Sequence, residues 1–343
     1  MKALQMSAYK QLDLVDLPVP APAEDELLIR IKACGICGSD VHGYDGSTGR
    51  RLPPIVMGHE AAGIVEAVGS AVTGFQIGDR VTFDSTVYCG KCFFCARGQF
   101  NLCDQREVIG VSTPAFRRMG AFAEYVAVPA RIAYALPENF PFAHAALIEA
   151  VSVAVHAAAL SPIESDDTVV IVGAGMIGLL TLQAVRQTSA GRVFVLDIDD
   201  TRLSLAASLG ATETLNARSI DIIQTLQKLT TGRGADVALE CVGTTDAIKL
   251  AVESVRKGGA VTLVGNVSPT IELGLQSVVS RQIRLQGSCA SNGEYPECID
   301  LMASGKIRVD SLISAVAPLE QGASWFERLY GREPGLLKIV LEP

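Results

Sequence analysis

Aromatic residues make up 6% of this 343-residue chain, with one tryptophan and four histidines, so no series of rings stands ready to stack nucleobases. Positive charge is scarce as well: Lys and Arg number 29 against 37 Asp and Glu, a formal net charge of −8, and no basic patch is interleaved with aromatics. These absences argue against nucleic acid as a partner and leave solubility as the role of the negative excess. No stretch reaches the roughly 18 uninterrupted apolar residues of a membrane span. Residues 1–6 lack an apolar run before a small-residue cleavage site. No membrane partner is expected, and the cytoplasm is the expected compartment. Internal repeats and low-complexity tracts are missing too, which leaves an ordinary globular chain.

Aliphatic side chains and glycine are abundant instead. A 49% hydrophobic content with 32 glycines over this length suits an α/β protein of two domains. Residues 2–32 and 75–84 read as short strands interrupted by Pro18, Pro20 and Pro22, and residues 121–136 alternate again; together they predict a small β-rich domain. From Pro141 to Leu160 the period becomes helical. Beyond Thr168, strands and helices alternate as far as residue 287, which predicts a doubly wound parallel sheet.

Nine cysteines, an odd number grouped at ligand spacing, point to thiolates on metal rather than to disulfides. Cys89, Cys92, Cys95 and Cys103 form C-x2-C-x2-C-x7-C in a glycine-bearing loop, spacing that can bring four thiolates to one tetrahedral centre. An iron–sulfur cluster uses a similar number of thiolates, but zinc is the first reading. Closed by four sulfurs, such a site has no position for substrate and should hold the lobe together. Cys34 and Cys37 form a second C-x-x-C, without the βαβ context that a redox disulfide would have.

The other chemistry-bearing stretches are Cys37-Gly-Ser39-Asp40-Val-His42 and Gly58-His59-Glu60, the latter followed by Gly63. An imidazole and a carboxylate side by side suggest a metal, with Gly58 and Gly63 letting the backbone crowd in; a buried histidine beside a surface glutamate would look the same. Glu149, flanked by apolar Ile148 and Ala150, needs either a cationic partner or a solvent-facing turn. Residues 168–172 run directly into G-x-G-x-x-G at Gly173, Gly175 and Gly178, a helical pattern follows, and a second strand ends in Asp197. That context reads as a dinucleotide site, with the pyrophosphate at the helix N-terminus and Asp197 on the adenosine ribose, which selects NAD over NADP. Met176 and Ile177 in the loop, Arg202 beyond Asp197, and Val242 and Val264 at later strand ends complete the cofactor-binding set.

With these residues laid out, the chain resembles the zinc-dependent medium-chain dehydrogenase/reductase family, and within it the sorbitol- and iditol-type polyol dehydrogenases, over essentially its whole length. The resemblance implies a GroES-like catalytic domain (1–150, with 288–343 packing back on it) and a Rossmann domain (151–287). It implies about two zinc ions per chain: one on the four cysteines, the other catalytic on Cys37, His59 and Glu60, with Glu149 a ligand or near-ligand. Asp40 would orient His59, Ser39 would contact the substrate oxygen, and His42 would stand at the outer end of a proton relay. The implied reaction passes hydride between a secondary alcohol, a polyol or sugar alcohol, and NAD, giving a ketone. A homodimer or homotetramer is the usual assembly. Threonine-type, sugar-phosphate and simple secondary alcohols are alternative substrates, and a cofactor-binding structural protein is the alternative outside the enzymes. Two places depart from the polyol pattern: Gly43 stands where those enzymes carry tyrosine, and Ala290-Ser291 where they carry Arg-Tyr. Tyr44, Phe116 and Arg118 are pocket candidates by position alone.

Overall fold

The computed structural model describes residues 1–113 and 116–343. The chain divides into two units, one of residues 1–149, 295–303 and 309–343, the other of 150–294 and 304–308. The sequence reading ended the cofactor domain at 287; the second unit runs on to Glu294, whose carboxylate pairs with His156 of the same unit at 2.6 Å.

In the first unit, Glu26–Gly35 is the central strand, antiparallel to Glu60–Val68 on one side and to the last strand, Lys338–Glu342, on the other. Alternation explains the arrangement: Leu27, Ile29 and Ile31 point into a core with Met6, Ile55, Phe83 and Phe122, all essentially inaccessible. Each such side chain contributes about 1.5–3 kcal/mol by leaving water. Two of these strands carry the chemistry, since Gly35 faces Glu60 in register and Val340 pairs with Gly35. Helix Gly38–Gly43 follows the central strand directly, capped by Cys37, whose sulfur accepts from Ser39 N.

The second unit holds a six-stranded parallel sheet in the order 3-2-1-4-5-6: Glu213–Asn216, Arg192–Asp197, Thr168–Val172, Ala235–Glu240, Val255–Leu263 and Arg284–Gly287. Thr168–Val172 is buried along its whole length, as an apolar strand covered on both faces must be. Glu213–Asn216 is absent from the sequence reading, because four residues with an exposed Glu213 at a sheet edge carry no alternation. The predicted helix over 141–160 is two pieces, Phe142–Ala145 and Ile148–Leu160. No helix among the described residues is long and apolar enough to cross a membrane.

Candidate metal centres and cofactor loop

The sulfurs of Cys89, Cys92, Cys95 and Cys103 lie within 4.8 Å of one another, and all four are free thiols. Zinc–sulfur bonds of about 2.3 Å place the sulfurs of a tetrahedron roughly 3.8 Å apart, so the donor set and its spacing fit zinc. Backbone N–H groups steady it: Cys89 N and Gln105 N donate to Cys103 Sγ at 3.3 and 3.4 Å. Amide donors, first that of Cys95, bring the Cys92 thiol down to about 6, whereas burial pushes Cys95 up to about 12. The segment is built of single 3-10 turns, Cys95–Arg97 and Phe100–Leu102, and so offers little core of its own.

A second set, Cys37, His59 and Glu60, also falls within 4.8 Å, with Cys37 half-buried and the other two buried. Ser39, exposed, sits over it, its Oγ 3.3 Å from Cys37 Sγ and 3.5 Å from His59 Nε2. On the far side of the ring, His59 Nδ1 faces Asp40 Oδ1 at 3.5 Å, an ion-pair distance rather than a well-made hydrogen bond. Burial pulls the imidazole toward neutrality, yet the Asp40 carboxylate and the Cys37 sulfur outweigh it and raise its pKa well above the ordinary value. The pocket therefore favours positive charge at this ring, as a cation on Nε2 would supply. Sulfur, imidazole and carboxylate with an exposed side are a donor set that fits an open zinc site.

Two side chains that the sequence reading missed, Lys338 and Arg51, complete the surroundings. Lys338, 2% exposed, donates to both Glu60 oxygens at 2.8 and 2.5 Å and to Ile36 O at 3.1 Å. Arg51, 3% exposed, donates to Asp40 Oδ1 from Nη2 at 2.8 Å and from Nε at 3.2 Å. Burial opposes ionization of Asp40, but His59 and Arg51 prevail and hold its carboxyl well below the usual range. Gly35 makes room for the metal set, since a Cβ there would lie 2.4 Å from Glu60 Oε2. The glycines expected to do this serve the fold instead. A Cβ on Gly63 would strike Arg30 O at 2.2 Å, and one on Gly58 would press on Phe122 and Cys34.

Glu149 lies outside the 4.8 Å set, and its Oε1 accepts from Ser85 Oγ at 3.2 Å. His42 is exposed near the end of the helix that carries Ser39 and Asp40. Cys34 is a fully buried free thiol, out of reach of solvent, and joins neither cysteine cluster. Of the pocket candidates, Tyr44 is buried against Phe326 and Tyr330, and Arg118 pairs with Glu107 and Glu26.

In the second unit, Gly173 has φ +98°, and a Cβ there would meet Val242 at 2.5 Å; one on Gly178 would sit 1.8 Å from Gly173 O. Packing requires both. A Cβ on Gly175, at the start of helix Met176–Val185, would meet nothing within 4 Å. The open space over that helix end fits a pyrophosphate. Asp197 is more than a turn residue: Oδ2 accepts from Ala174 N in the glycine loop at 2.5 Å, and Oδ1 accepts from Ile198 N and Asp199 N at 2.7 and 3.0 Å. The capping role belongs to Asp199, which accepts from Thr201 N and Arg202 N, while the Arg202 guanidinium lies 3.9 Å from Asp199. Glu240, fully buried and unremarked in sequence, pins the later loops. Its Oε1 accepts from Val242 N and Gly243 N at 2.8 Å each, and its carbonyl accepts from Val264 N and Gly265 N.

Known proteins are similar to the chain in sequence and fold. The alcohol dehydrogenase GroES-like domain matches residues 23–138, and the zinc-binding dehydrogenase domain residues 177–304. The chain belongs to the zinc-dependent medium-chain dehydrogenase family. Within it, its place is among the polyol dehydrogenases. It is 36% identical to a sorbitol dehydrogenase of Bacillus subtilis over 100% of this chain and 97% of that one. It is 33% identical to a D-arabitol-phosphate dehydrogenase of Enterococcus avium over 98% and 96% of the two. A zinc-binding dehydrogenase from Sinorhizobium meliloti 1021, solved bound to NADP, superposes with a TM-score of 0.91 at 32% identity, over 100% of this chain and 99% of that one. GroES-like and Rossmann-type units, and an oxidoreductase of the zinc alcohol and polyol type, are thus established for this chain.

Proposed function

We propose that the chain oxidizes a secondary alcohol, a polyol or sugar alcohol, with NAD, and reduces the corresponding ketone in reverse, carrying about two zinc ions. The observation that carries this is the open Cys37, His59 and Glu60 set with the Ser39 hydroxyl 3.5 Å from His59 Nε2. Zinc bound there would supply a Lewis acid for the alcohol oxygen, and the nicotinamide the hydride acceptor. The chain's own residues do the rest. Ser39 accepts the substrate O–H and passes a proton outward, with exposed His42 at the solvent end. Asp40 places a negative charge behind the imidazole, and Lys338 holds both oxygens of Glu60. The polyol assignment draws on the named activity of the sorbitol dehydrogenase relative. A sugar-phosphate alcohol is the second reading, drawn from the D-arabitol-phosphate relative. We take the protein to act in the cytoplasm; a dimer or tetramer is the assembly that the resemblance implies.

NAD is favoured because Asp197 keeps a carboxylate beside the glycine loop, where a 2′-phosphate would meet like charge. At partial burial that repulsion is on the order of 2–4 kcal/mol, roughly 30- to 1,000-fold. Arg202 is the cation that could offset it, and its expected place is stacked on the adenine. The experiment is a screen of polyols, sugar phosphates, amino alcohols and short secondary alcohols with zinc-loaded protein, run with NAD and NADP, for the wild type and Asp197→Ala. A polyol and NAD should give the highest kcat/KM, and the variant should lose most of the NAD preference. No turnover of any alcohol would sink the reaction class; equal wild-type use of NADP would sink the cofactor choice.

A further inference from the structure

We propose that Arg51 is a positioning residue for the Ser39 hydroxyl, and that Gly43 is there to admit it. The inference rests on the alcohol dehydrogenase reading of the open site. A guanidinium only 3% exposed is costly to bury unless its donors are used. Two go to Asp40 Oδ1, and Nη2 also reaches Ser39 Oγ at 3.3 Å. One planar group therefore ties the carboxylate behind His59 to the hydroxyl in front of it.

A serine hydroxyl has one proton and two acceptor lone pairs. With an Arg51 N–H on one lone pair, Ser39 has a single lone pair left for a substrate O–H, and its own proton points away from Arg51, toward Cys37 Sγ at 3.3 Å. Arg51 thus fixes which side of the Ser39 oxygen stays free to take the substrate proton, while the Ser39 O–H turns from Cys37 Sγ to pass its own proton on. The cation also stabilizes the oxygen whenever it gains negative character, without reorganizing at the moment of reaction.

Gly43, a departure from the polyol pattern, acquires a cause here. A Cβ at position 43 would lie 2.5 Å from Arg51 Cγ, a stem atom that cannot swing aside while the guanidinium keeps its contacts. A tyrosine at 43 and Arg51 in this pose exclude each other.

If Arg51 only neutralized Asp40, a lysine would serve as well; a planar fork reaching two groups is not replaced by a point charge. The test is a double-mutant cycle of Arg51→Lys with Ser39→Ala, on protein whose zinc content is measured in parallel. Arg51→Lys should lower kcat about 10- to 100-fold, with KM within about twofold and zinc retained. In the Ser39→Ala background it should cost less than about twofold more, because the group it acts through is gone. Gly43→Ala should act in the same direction as Arg51→Lys. Crystal structures of zinc-loaded wild type and Arg51→Lys supply a readout free of turnover: Ser39 Oγ should leave its wild-type position in the variant. Additive losses in the cycle, a fall in kcat matched by loss of zinc, or an unmoved Ser39 would each overturn the assignment. If the wild type turns over no alcohol, the functional reading fails, and the crystal structures alone decide the positioning claim.

Discussion

The two cysteine-bearing clusters differ in what surrounds them. At Cys89, Cys92, Cys95 and Cys103 the sulfurs are steadied by backbone amides in a segment of single turns. At Cys37, His59 and Glu60 the neighbours are buried cations, with Lys338 on Glu60 and Arg51 on Asp40. In the first, up to four thiolates would gather with backbone amides as their named partners; in the second, much of the negative charge is paired by buried side-chain cations. A closed site thus depends on its ion for shape, whereas an open site keeps its shape and uses the ion for chemistry.

Metal removal should separate them most sharply. Elemental analysis of fresh, active protein should give about two zinc per chain, and a chelator should abolish activity before it loosens residues 88–106 to protease. One zinc or none in active protein, or the lobe opening first, would break the comparison. Ser39→Ala comes next. With its zinc intact, it should turn over roughly two orders of magnitude more slowly, because the hydroxyl over the open cluster is gone. His42→Ala should lose less, since water can replace an exposed imidazole at the outer end. Normal turnover by Ser39→Ala on the true substrate would show that the proton leaves by another route.

The sulfur spacing, Gly58-His59-Glu60 and the glycine loop were legible in sequence because each is local: the partners lie within a few residues, and the residue types are chemically distinctive. Lys338 was not legible, since it meets Glu60 only after the last strand returns beside Glu26–Gly35, 278 residues away. Arg51 is nearer in sequence, but nothing marks it apart from Arg50 until burial does. Glu240 ends an apolar strand, and that was a signal available to read: a carboxylate in such a run must find donors, and it found Val242 N and Gly243 N. Gly58 and Gly63 were legible as constrained but not as to what constrains them, because a sequence does not say which backbone passes beneath.

Glu149 offers the smallest effect and the finest distinction, because it asks how open the second cluster is. As a standing fourth ligand it would make that cluster resemble the closed one, and losing it should cost zinc affinity as heavily as losing His59. The geometry points the other way, with Glu149 outside the 4.8 Å set and its Oε1 engaged by Ser85 Oγ. Glu149→Gln keeps the volume and an acceptor for Ser85, so zinc affinity should fall about tenfold or less, as for a group behind the ligands. A pH measurement on zinc-stripped protein adds a second arm. Burial, first of all, raises the Glu149 pKa, with the charge of His59 opposing and that of Glu60 adding to it. A carboxyl whose folded pKa is raised contributes stability that is complete below its unfolded value, near 4.3, and is lost as pH rises through the folded pKa. Gln does not ionize, so the variant should match the wild type in Tm near pH 4 and exceed it at about pH 8. A zinc affinity reduced 100-fold or more would place Glu149 among the ligands and make the cluster four-coordinate without substrate, whereas a zinc-stripped variant less stable than wild type at the higher pH would show that the Glu149 carboxylate is held by its partners rather than opposed by burial.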